Sequence, residues 1–179
     1  DADESLAELS TPLLLEILDE LSRYRASLHL IGGEPFLHRG IWEVLERAAR
    51  LRMDSVSINT NGLRLGPVVV GRLASLGIPV SLMVSLDGPP GVQETARGKG
   101  TTAAAVNAVR RAREAGLGVS VATILSAELV DFGIADWLEF LESEIGARVP
   151  LVLWPIYLRP GVELSAAEGG HALTLDHHH

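Results

Sequence analysis

The sequence alternates between two hydrophobic patterns, and this alternation constrains the fold more than any other feature. Apolar residues between Leu13 and Leu21 recur at helical spacing after Ser10-Thr11-Pro12, a typical helix start, so we expect a helix over residues 12–25. The apolar run Leu28-His29-Leu30-Ile31 follows, and two glycines end it. A short apolar run of this kind favours a buried strand of a parallel sheet.

The same order of helix and strand repeats four more times along the chain. We expect helices over residues 41–51, 67–76, 101–115 and 134–145, and strands over residues 55–60, 80–86, 119–125 and 151–157. Gly116 is well placed for a left-handed C-terminal cap, and Gly146 closes the last helix. Such units predict right-handed crossovers and a parallel sheet with helices outside it, either an open α/β sheet or part of a barrel.

The chain lacks a strand where this architecture needs one. Its first helix should cross over from a preceding strand, yet residues 1–10 contain no strand-like run. The chain ends in Leu175-Asp176-His177-His178-His179, which resembles vector sequence with a histidine tag. We therefore expect one α/β domain over residues 1–160, with its first strand missing, and a poorly structured tail over residues 161–179.

Composition argues against several classes of function. The 179 residues carry a formal net charge of −8 and Lys99 is the only lysine, so we do not expect nucleic-acid binding. No apolar run approaches the ~20 residues that span a bilayer, and residues 1–8 do not resemble a signal peptide, so we expect a cytoplasmic protein with no membrane segment. Without cysteine, the chain alone supplies neither a disulfide nor thiolate ligands for a metal or cluster.

Distinctive polar sequences follow the predicted strands, at the edge where parallel α/β folds bind ligands. In Gly32-Gly33-Glu34-Pro35 the glycines allow close approach of a ligand to the backbone, and Glu34 offers a carboxylate to a cation. Asn59-Thr60-Asn61-Gly62, Ser85-Leu86-Asp87-Gly88-Pro89 and Arg97-Gly98-Lys99-Gly100-Thr101 come next in the chain. Each of these motifs, taken singly, is also an ordinary turn sequence.

Together and in this order, the motifs resemble those of the radical S-adenosylmethionine superfamily, most closely its peptide-maturase and sulfatase-maturase branch. The resemblance extends from about Leu13 to Leu125. It implies a partial parallel (β/α) TIM-type barrel of about five strands, in which a four-iron four-sulfur cluster binds and reduces S-adenosylmethionine. The products would be methionine and a 5′-deoxyadenosyl radical that abstracts hydrogen from the substrate, while the protein orients these groups.

The resemblance implies a role for the first strand end. Gly32, Gly33 and Glu34 would receive the methionyl ammonium of S-adenosylmethionine, with carbonyl and carboxylate oxygens as acceptors. Pro35 would shape this edge of the sheet. A cation is a suitable ligand for such a set of oxygen atoms.

Other positions are assigned in the same way. Ser85 and Asp87 match the edge of the family's fourth strand, which generally contacts the ribose or the carboxylate of the cofactor. Arg97 is expected to pair with that carboxylate through two hydrogen bonds. Asn61 is a weaker candidate for the same ligand, and Ile124 is a weaker candidate for packing on the adenine. The resemblance assigns no catalytic residue and no metal ligand to this chain.

The sequence departs from the family at one essential element. The family's CxxxCxxC loop, which holds the cluster, follows the first barrel strand, and neither that strand nor that loop has a counterpart here. Truncation before Asp1 explains both absences with one cause. The cysteines of the auxiliary-cluster module that often follows in this branch are absent as well.

The leading hypothesis is that the parent protein performs radical chemistry on a peptide or protein side chain, with flavodoxin or ferredoxin as reductant, and that this chain alone is inactive. The alternative is a naturally cysteine-less barrel that acts as a ligand-binding or scaffolding module. A barrel enzyme for phosphorylated metabolites is disfavoured because residues 154–157 provide no glycine-rich phosphate loop. A chain truncated in this way also exposes the edge of its first remaining strand and an apolar barrel interior, so we expect it to pair with another copy or to aggregate.

The remaining aromatic and imidazole side chains are interpreted as structural. His29 and His38 have no accompanying ligand pattern that would indicate a metal. Trp42, Trp137 and Trp154 fall on apolar faces, where they supply packing area.

Overall fold

The structure, a computed structural model, describes residues 9–155, and these residues form alternating helices and strands. The helices are α1 Thr11–Leu21, α2 Ile41–Arg50, α3 Pro67–Ala74, α4 Pro90–Arg97, α5 Thr101–Glu114, α6 Ala127–Phe132 and α7 Ile134–Ile145. The strands are β1 Ser27–Leu30, β2 Ser55–Thr60, β3 Val80–Ser85, β4 Gly118–Leu125 and β5 Leu151–Pro155. Within this part of the chain, no helix is long and apolar enough to cross a membrane.

The five strands form one parallel sheet in the order β1-β2-β3-β4-β5. Leu28 of β1 lies opposite Val56 of β2, and Ile124 of β4 lies opposite Trp154 of β5. Strands that follow each other in the chain are neighbours in the sheet, so each connection through helices crosses to the adjacent strand. The prediction of an α/β fold with a parallel sheet and flanking helices is confirmed.

Two central strands show which side of the sheet is covered. β2 buries Val56 and Ile58, and β3 buries Leu82 and Val84, while the residues between them are only half-buried. Burial with a period of two indicates that one face packs in the core and the opposite face is more accessible.

The described residues divide into two compact units, each with its own buried side chains. The first unit contains residues 9–60, 64–83 and 111–118, and its fully buried side chains include Leu18, Leu45, Leu65 and Leu73. The second unit contains residues 61–63, 84–110 and 119–155, and its fully buried side chains include Leu86, Gln93, Leu129 and Trp137. The expected domain end at residue 160 and the expected tail lie outside the described residues.

Helix α1 begins where the sequence predicts but ends earlier. The Ser10 side chain caps its N-terminus by accepting a hydrogen bond from Leu13 N at 3.4 Å. At the other end Ser22 N donates to the Leu18 carbonyl, and the Ser22 hydroxyl donates to the Asp19 carbonyl. Beyond Ser22 the pattern changes to i→i−3 hydrogen bonds, from Arg23 N to the Glu20 carbonyl and from Tyr24 N to the Leu21 carbonyl, so the helix ends at Leu21 rather than near Arg25.

The expectation that the first strand is buried is wrong. The residues of β1 alternate between exposed and half-buried, and Ile31, directly after the strand, is 67% exposed. The reason is position, because among residues 9–155 β1 has a neighbouring strand on one side only. Of the tryptophans interpreted as packing residues, Trp137 is fully buried, whereas Trp154 is 50% exposed.

Candidate functional site

The first unit carries Gly32-Gly33-Glu34-Pro35 directly after β1 and Ile31. Gly32 has a φ of +127°, which L side chains rarely adopt, and a Cβ placed on Gly32 or Gly33 would meet no atom within 4 Å. Both glycines are exposed. The backbone at this strand end is therefore open to close approach by a ligand.

Glu34 is held in place by two hydrogen-bond donors. Its Oε1 accepts a hydrogen bond from Phe36 N at 3.3 Å and another from the Thr60 hydroxyl at 2.8 Å. Thr60 ends β2 and is 3% exposed, so the neighbouring strand fixes the carboxylate. Pro35 occupies the start of a short 3₁₀ turn, Pro35–Leu37, where its missing N–H leaves no hydrogen bond unmade.

A groove of about 590 Å³ lies beside this turn, within the first unit. It combines the Gly32-Gly33-Glu34 segment with apolar side chains that include Leu28, Leu30 and Ile41. Apolar walls next to open backbone and a fixed carboxylate suit a ligand that has a cationic end and an apolar body.

The second unit carries a separate cluster around Asp87, which follows β3. The Asp87 carboxylate accepts hydrogen bonds from Arg97 Nε at 2.5 Å and from Ile124 N at 2.9 Å, and Asp87 is 6% exposed. The Asp87 backbone N–H donates to Gln93 Oε1 at 2.7 Å. Arg97, which the resemblance assigns to a cofactor carboxylate, is thus paired with Asp87 through its Nε atom.

A cavity of about 390 Å³ lies beside this cluster, within the second unit. Asp87, Thr95, Ser126 and Glu128 supply polar groups to its lining, and Ile124 supplies an apolar wall. Asp87 and Ile124, two residues named from the sequence, therefore line the same cavity. A mixed lining of this kind can accept hydroxyl groups on one side and a flat apolar ring on the other.

Two other residues predicted from the sequence, Ser85 and Asn61, lie outside the lining of this cavity. Ser85 is the half-buried last residue of β3. Asn61 Oδ1 accepts a hydrogen bond from Leu63 N at 2.9 Å, which is the behaviour of a turn-forming residue. Among the described residues that line the cavity beside Asp87, neither Ser85 nor Asn61 is present.

The side chains do not fit an iron–sulfur cluster. The sequence has no cysteine, and residues 9–155 contain no group of three or more His, Asp or Glu side chains that could hold a metal ion. His38 has a structural role: its Nε2 lies 2.9 Å from the Leu9 carbonyl oxygen, and its Nδ1 accepts a hydrogen bond from Gly40 N at 3.1 Å. The open glycine backbone and the Asp87 cavity, in contrast, fit parts of S-adenosylmethionine.

Comparison with known proteins decides the family. The model of the Radical SAM superfamily matches residues 2–140, which is more than half of the chain. The chain belongs to the radical SAM superfamily. Members of this superfamily bind S-adenosylmethionine and a four-iron four-sulfur cluster. The family resemblance predicted from the strand-end motifs is therefore confirmed.

The curated relatives are maturases by name. Mycofactocin maturase MftC of Mycobacterium tuberculosis (strain CDC 1551 / Oshkosh) is 34% identical over 147 residues, which cover 79% of this chain and 36% of the relative. Mycofactocin maturase MftC of Mycobacterium ulcerans (strain Agy99) is 37% identical over 111 residues, which cover 61% of this chain and 30% of the relative. The chain spans about a third of the length of these relatives.

A solved radical SAM structure shares the fold. The structure described as native anSMEcpe with bound AdoMet and Cp18Cys peptide superposes with a TM-score of 0.71 and 15% sequence identity. The likeness covers 93% of this chain and 48% of that chain. At this identity the comparison bears on the fold alone, and it agrees with a partial radical SAM barrel.

Two residues that hold Glu34 and Asp87 in place were not predicted from the sequence. Thr60 binds Glu34, and Gln93 binds the backbone of Asp87. Thr60 could have been predicted from the sequence, because it is polar but follows Val56 and Ile58 at the two-residue spacing of the buried face of β2. Gln93 gives no comparable signal because it lies in a short polar helix.

Proposed function

We propose that this chain is the S-adenosylmethionine-binding part of a radical enzyme that modifies a peptide or protein. The observation that carries the proposal is the open Gly32-Gly33 backbone beside a Glu34 carboxylate that Thr60 fixes. Membership of the radical SAM superfamily and the similarity to mycofactocin maturases support it. The peptide present in the anSMEcpe structure is consistent with the same substrate class.

The first unit provides the acceptors for the methionyl ammonium. In the proposal, this cation donates hydrogen bonds to the carbonyl oxygens of Gly32 and Gly33 and to the carboxylate of Glu34. Pro35 holds the turn in shape. The Thr60 hydroxyl orients Glu34, so that binding requires little rearrangement of the carboxylate.

The second unit contains the other residues that the family resemblance assigns to cofactor binding. Asp87 and Ser85 are proposed to bind the ribose hydroxyls or the methionyl carboxylate region, and Ile124 to pack on the adenine. Because Arg97 uses Nε for Asp87, its terminal nitrogens are the atoms proposed to pair with the cofactor carboxylate. Asn61 is the weakest of these candidates, since its carbonyl oxygen already accepts a hydrogen bond in its own turn.

When bound, S-adenosylmethionine would supply a 5′-deoxyadenosyl radical, but the sequence contains no cysteine to hold a cluster, and residues 9–155 contain no group of His, Asp or Glu side chains that could hold a metal ion. We therefore propose that the isolated chain binds S-adenosylmethionine but does not cleave it. The residues described above bind and orient the cofactor. The proposal of a flavodoxin or ferredoxin reductant rests on the family resemblance, and the proposal of a cytoplasmic location rests on the sequence composition.

Isothermal titration of the chain with S-adenosylmethionine tests the proposal. We expect one saturable binding event that Glu34→Gln and Asp87→Asn each weaken about tenfold, which corresponds to about 1.4 kcal/mol. Glu142→Gln is the matched control, because Glu142 pairs with Arg148 on an exposed surface. Absence of saturable binding, or equal weakening by the control, overturns the proposal.

We also propose that the isolated chain self-associates through β1 and α1. Within residues 9–155 β1 has one free edge, and α1 exposes Leu13, Ile17 and Leu21 as one stripe at 42%, 39% and 37%. A second copy is a suitable partner because two identical strand edges can pair around a two-fold axis. Sedimentation velocity should show a concentration-dependent dimer that Ile17→Glu disrupts, and a clean monomer at high concentration would contradict this expectation.

A further inference from the structure

The accessible face of strands β1 and β2 is polar. In β2 the residues between the buried positions are Ser55, Ser57 and Asn59, and all three are half-buried. The inner face of a closed barrel is normally filled by bulky branched side chains such as Val, Ile and Leu. Hydroxyl and amide groups in these positions do not form such a packed layer, and they need hydrogen-bonding partners.

Strand β1 extends the same polar surface. The Ser55 hydroxyl donates to the Ser27 hydroxyl at 2.9 Å, and His29 lies opposite Ser57 in the parallel register. Paired residues in neighbouring strands point to the same face, so His29 and Ser27 share the face of Asn59. None of these side chains is Asp, Glu, Lys or Arg, so the surface presents neutral hydrogen-bonding groups rather than fixed charges.

His29 and Asn59 form a hydrogen-bonded pair at the centre of this surface. His29 Nε2 lies 3.0 Å from Asn59 Oδ1. An amide oxygen can only accept, so Nε2 carries the proton and donates it to Asn59. In the neutral ring this leaves Nδ1 as an acceptor, while the Asn59 amide nitrogen provides donors. The pair thus presents an acceptor on His29 and amide donors on Asn59.

We propose that His29 and Asn59 bind the amide groups of a peptide on this face of the sheet. A peptide amide carries an N–H donor and a C=O acceptor, which complement His29 Nδ1 and the Asn59 amide nitrogen. The neighbouring serines supply further hydroxyl groups for the same chain. Binding of an amide follows from this geometry alone, whereas the identity of the peptide as the enzyme's substrate rests on the proposed function.

A purely structural role makes a different prediction. If the pair only joins β1 to β2, its contribution is one cross-strand hydrogen bond, and a soluble amide has no effect on it. Asn59→Asp separates the two roles, because aspartate keeps an acceptor oxygen for His29 Nε2 and loses both amide donors. Asn107→Asp is a matched control, since Asn107 lies on helix α5 in the second unit.

The test is a nuclear magnetic resonance titration of the chain with N-acetylglycine N-methylamide, observed at the side chains of His29 and Asn59. We expect saturable shifts at both side chains, unchanged in Asn107→Asp and reduced at least about fivefold in Asn59→Asp. Acetate and tetramethylammonium, as charged probes, should not reproduce these shifts. Absence of saturable shifts in the wild-type chain, or an undiminished response in Asn59→Asp, overturns the proposal.

A parallel titration with S-adenosylmethionine distinguishes this inference from the proposed function. If the wild-type chain binds S-adenosylmethionine but shows no saturable shifts with the amide, only the role of His29 and Asn59 is overturned. An intact amide response without cofactor binding overturns the proposed function and leaves the amide site in place.

Discussion

Replacing Asp87 by alanine should destabilise the fold by about 3 to 4 kcal/mol, because the buried carboxylate holds two donors. Asp87 is 6% exposed and binds Arg97 Nε and Ile124 N. Removing one partner of a buried ion pair costs roughly 3–5 kcal/mol. The Arg97 side chain is 30% exposed, so water recovers part of its hydration and the lower end, about 3 kcal/mol, applies. The half-buried Ile124 N–H adds up to about 1 kcal/mol.

Asp87→Asn is the informative companion variant. The asparagine keeps an acceptor oxygen for Ile124 N but loses the charge that faces Arg97, so the expected loss is about 1 to 2 kcal/mol. Arg148→Ala is the control, because the Arg148 side chain is 88% exposed and an exposed ion pair contributes at most about 1 kcal/mol. Asp87→Ala should therefore lower the free energy of unfolding clearly more than Asp87→Asn or Arg148→Ala does.

Urea unfolding followed by far-ultraviolet circular dichroism measures these differences. In a separate thermal unfolding experiment, a loss of about 3 kcal/mol lowers the Tm of a chain of this size by roughly 6–12 °C. The dependence of the unfolding free energy on urea should stay the same in all variants, which shows that the folded state keeps its compactness. If Asp87→Ala costs no more than Asp87→Asn, the carboxylate does not hold its donors in the way described.

Two further substitutions test the close packing at Gly62 and the hydrogen bond from Thr60 to Glu34. Gly62→Ala should cost about 1–3 kcal/mol, because Gly62 has a φ of +81° and an added Cβ would lie 3.1 Å from the Ala108 side chain. Thermal unfolding checks this, and a neutral result would show that the local packing adjusts freely. Thr60→Val removes the hydroxyl that donates to Glu34, so it should destabilise by about 1 kcal/mol and also weaken S-adenosylmethionine binding. Scanning calorimetry measures the loss of stability, and titration calorimetry measures the affinity for S-adenosylmethionine. An affinity equal to that of the wild-type chain would show that Thr60 does not position Glu34 for binding.

Helices and strands with clear periodicity are predictable from the sequence. Strand β2 and helix α7 have the expected bounds, and Gly116 has the left-handed conformation expected of a C-terminal cap, with a φ of +76°. These elements bury residues at regular spacing, and that spacing is visible in the sequence. In these elements the regular spacing that buries one face is the same spacing that predicts the element from the sequence.

Short helices escape such reasoning. In α4 Gln93 is the buried residue, and in α6 it is Leu129, so neither helix has a repeating apolar stripe. Helix α4 is held by a tertiary contact, the hydrogen bond from Asp87 N to Gln93, whereas α6 has a local cap in which Ser126 accepts a hydrogen bond from Leu129 N. The pairing of Arg97 with Asp87 is hidden in the sequence for the same reason, since it depends on how α4 turns back toward the end of β3.

The error at β1 has a different origin. Leu28, Leu30 and Ile31 form an apolar run, and such a run does not distinguish a central strand from an edge strand. Position in the sheet depends on strand order, which a single strand's composition does not encode. The same ambiguity hides His29, whose pairing with Asn59 becomes visible only when β1 and β2 are aligned.

We infer that this chain is the cofactor-binding part of a radical enzyme, and the decisive measurement is to sequence the coding region directly upstream of the Asp1 codon in the source genome. We expect an apolar strand followed by CxxxCxxC in the same reading frame. An intact start of the protein without those cysteines would rule out this inference and favour a ligand-binding or scaffolding barrel.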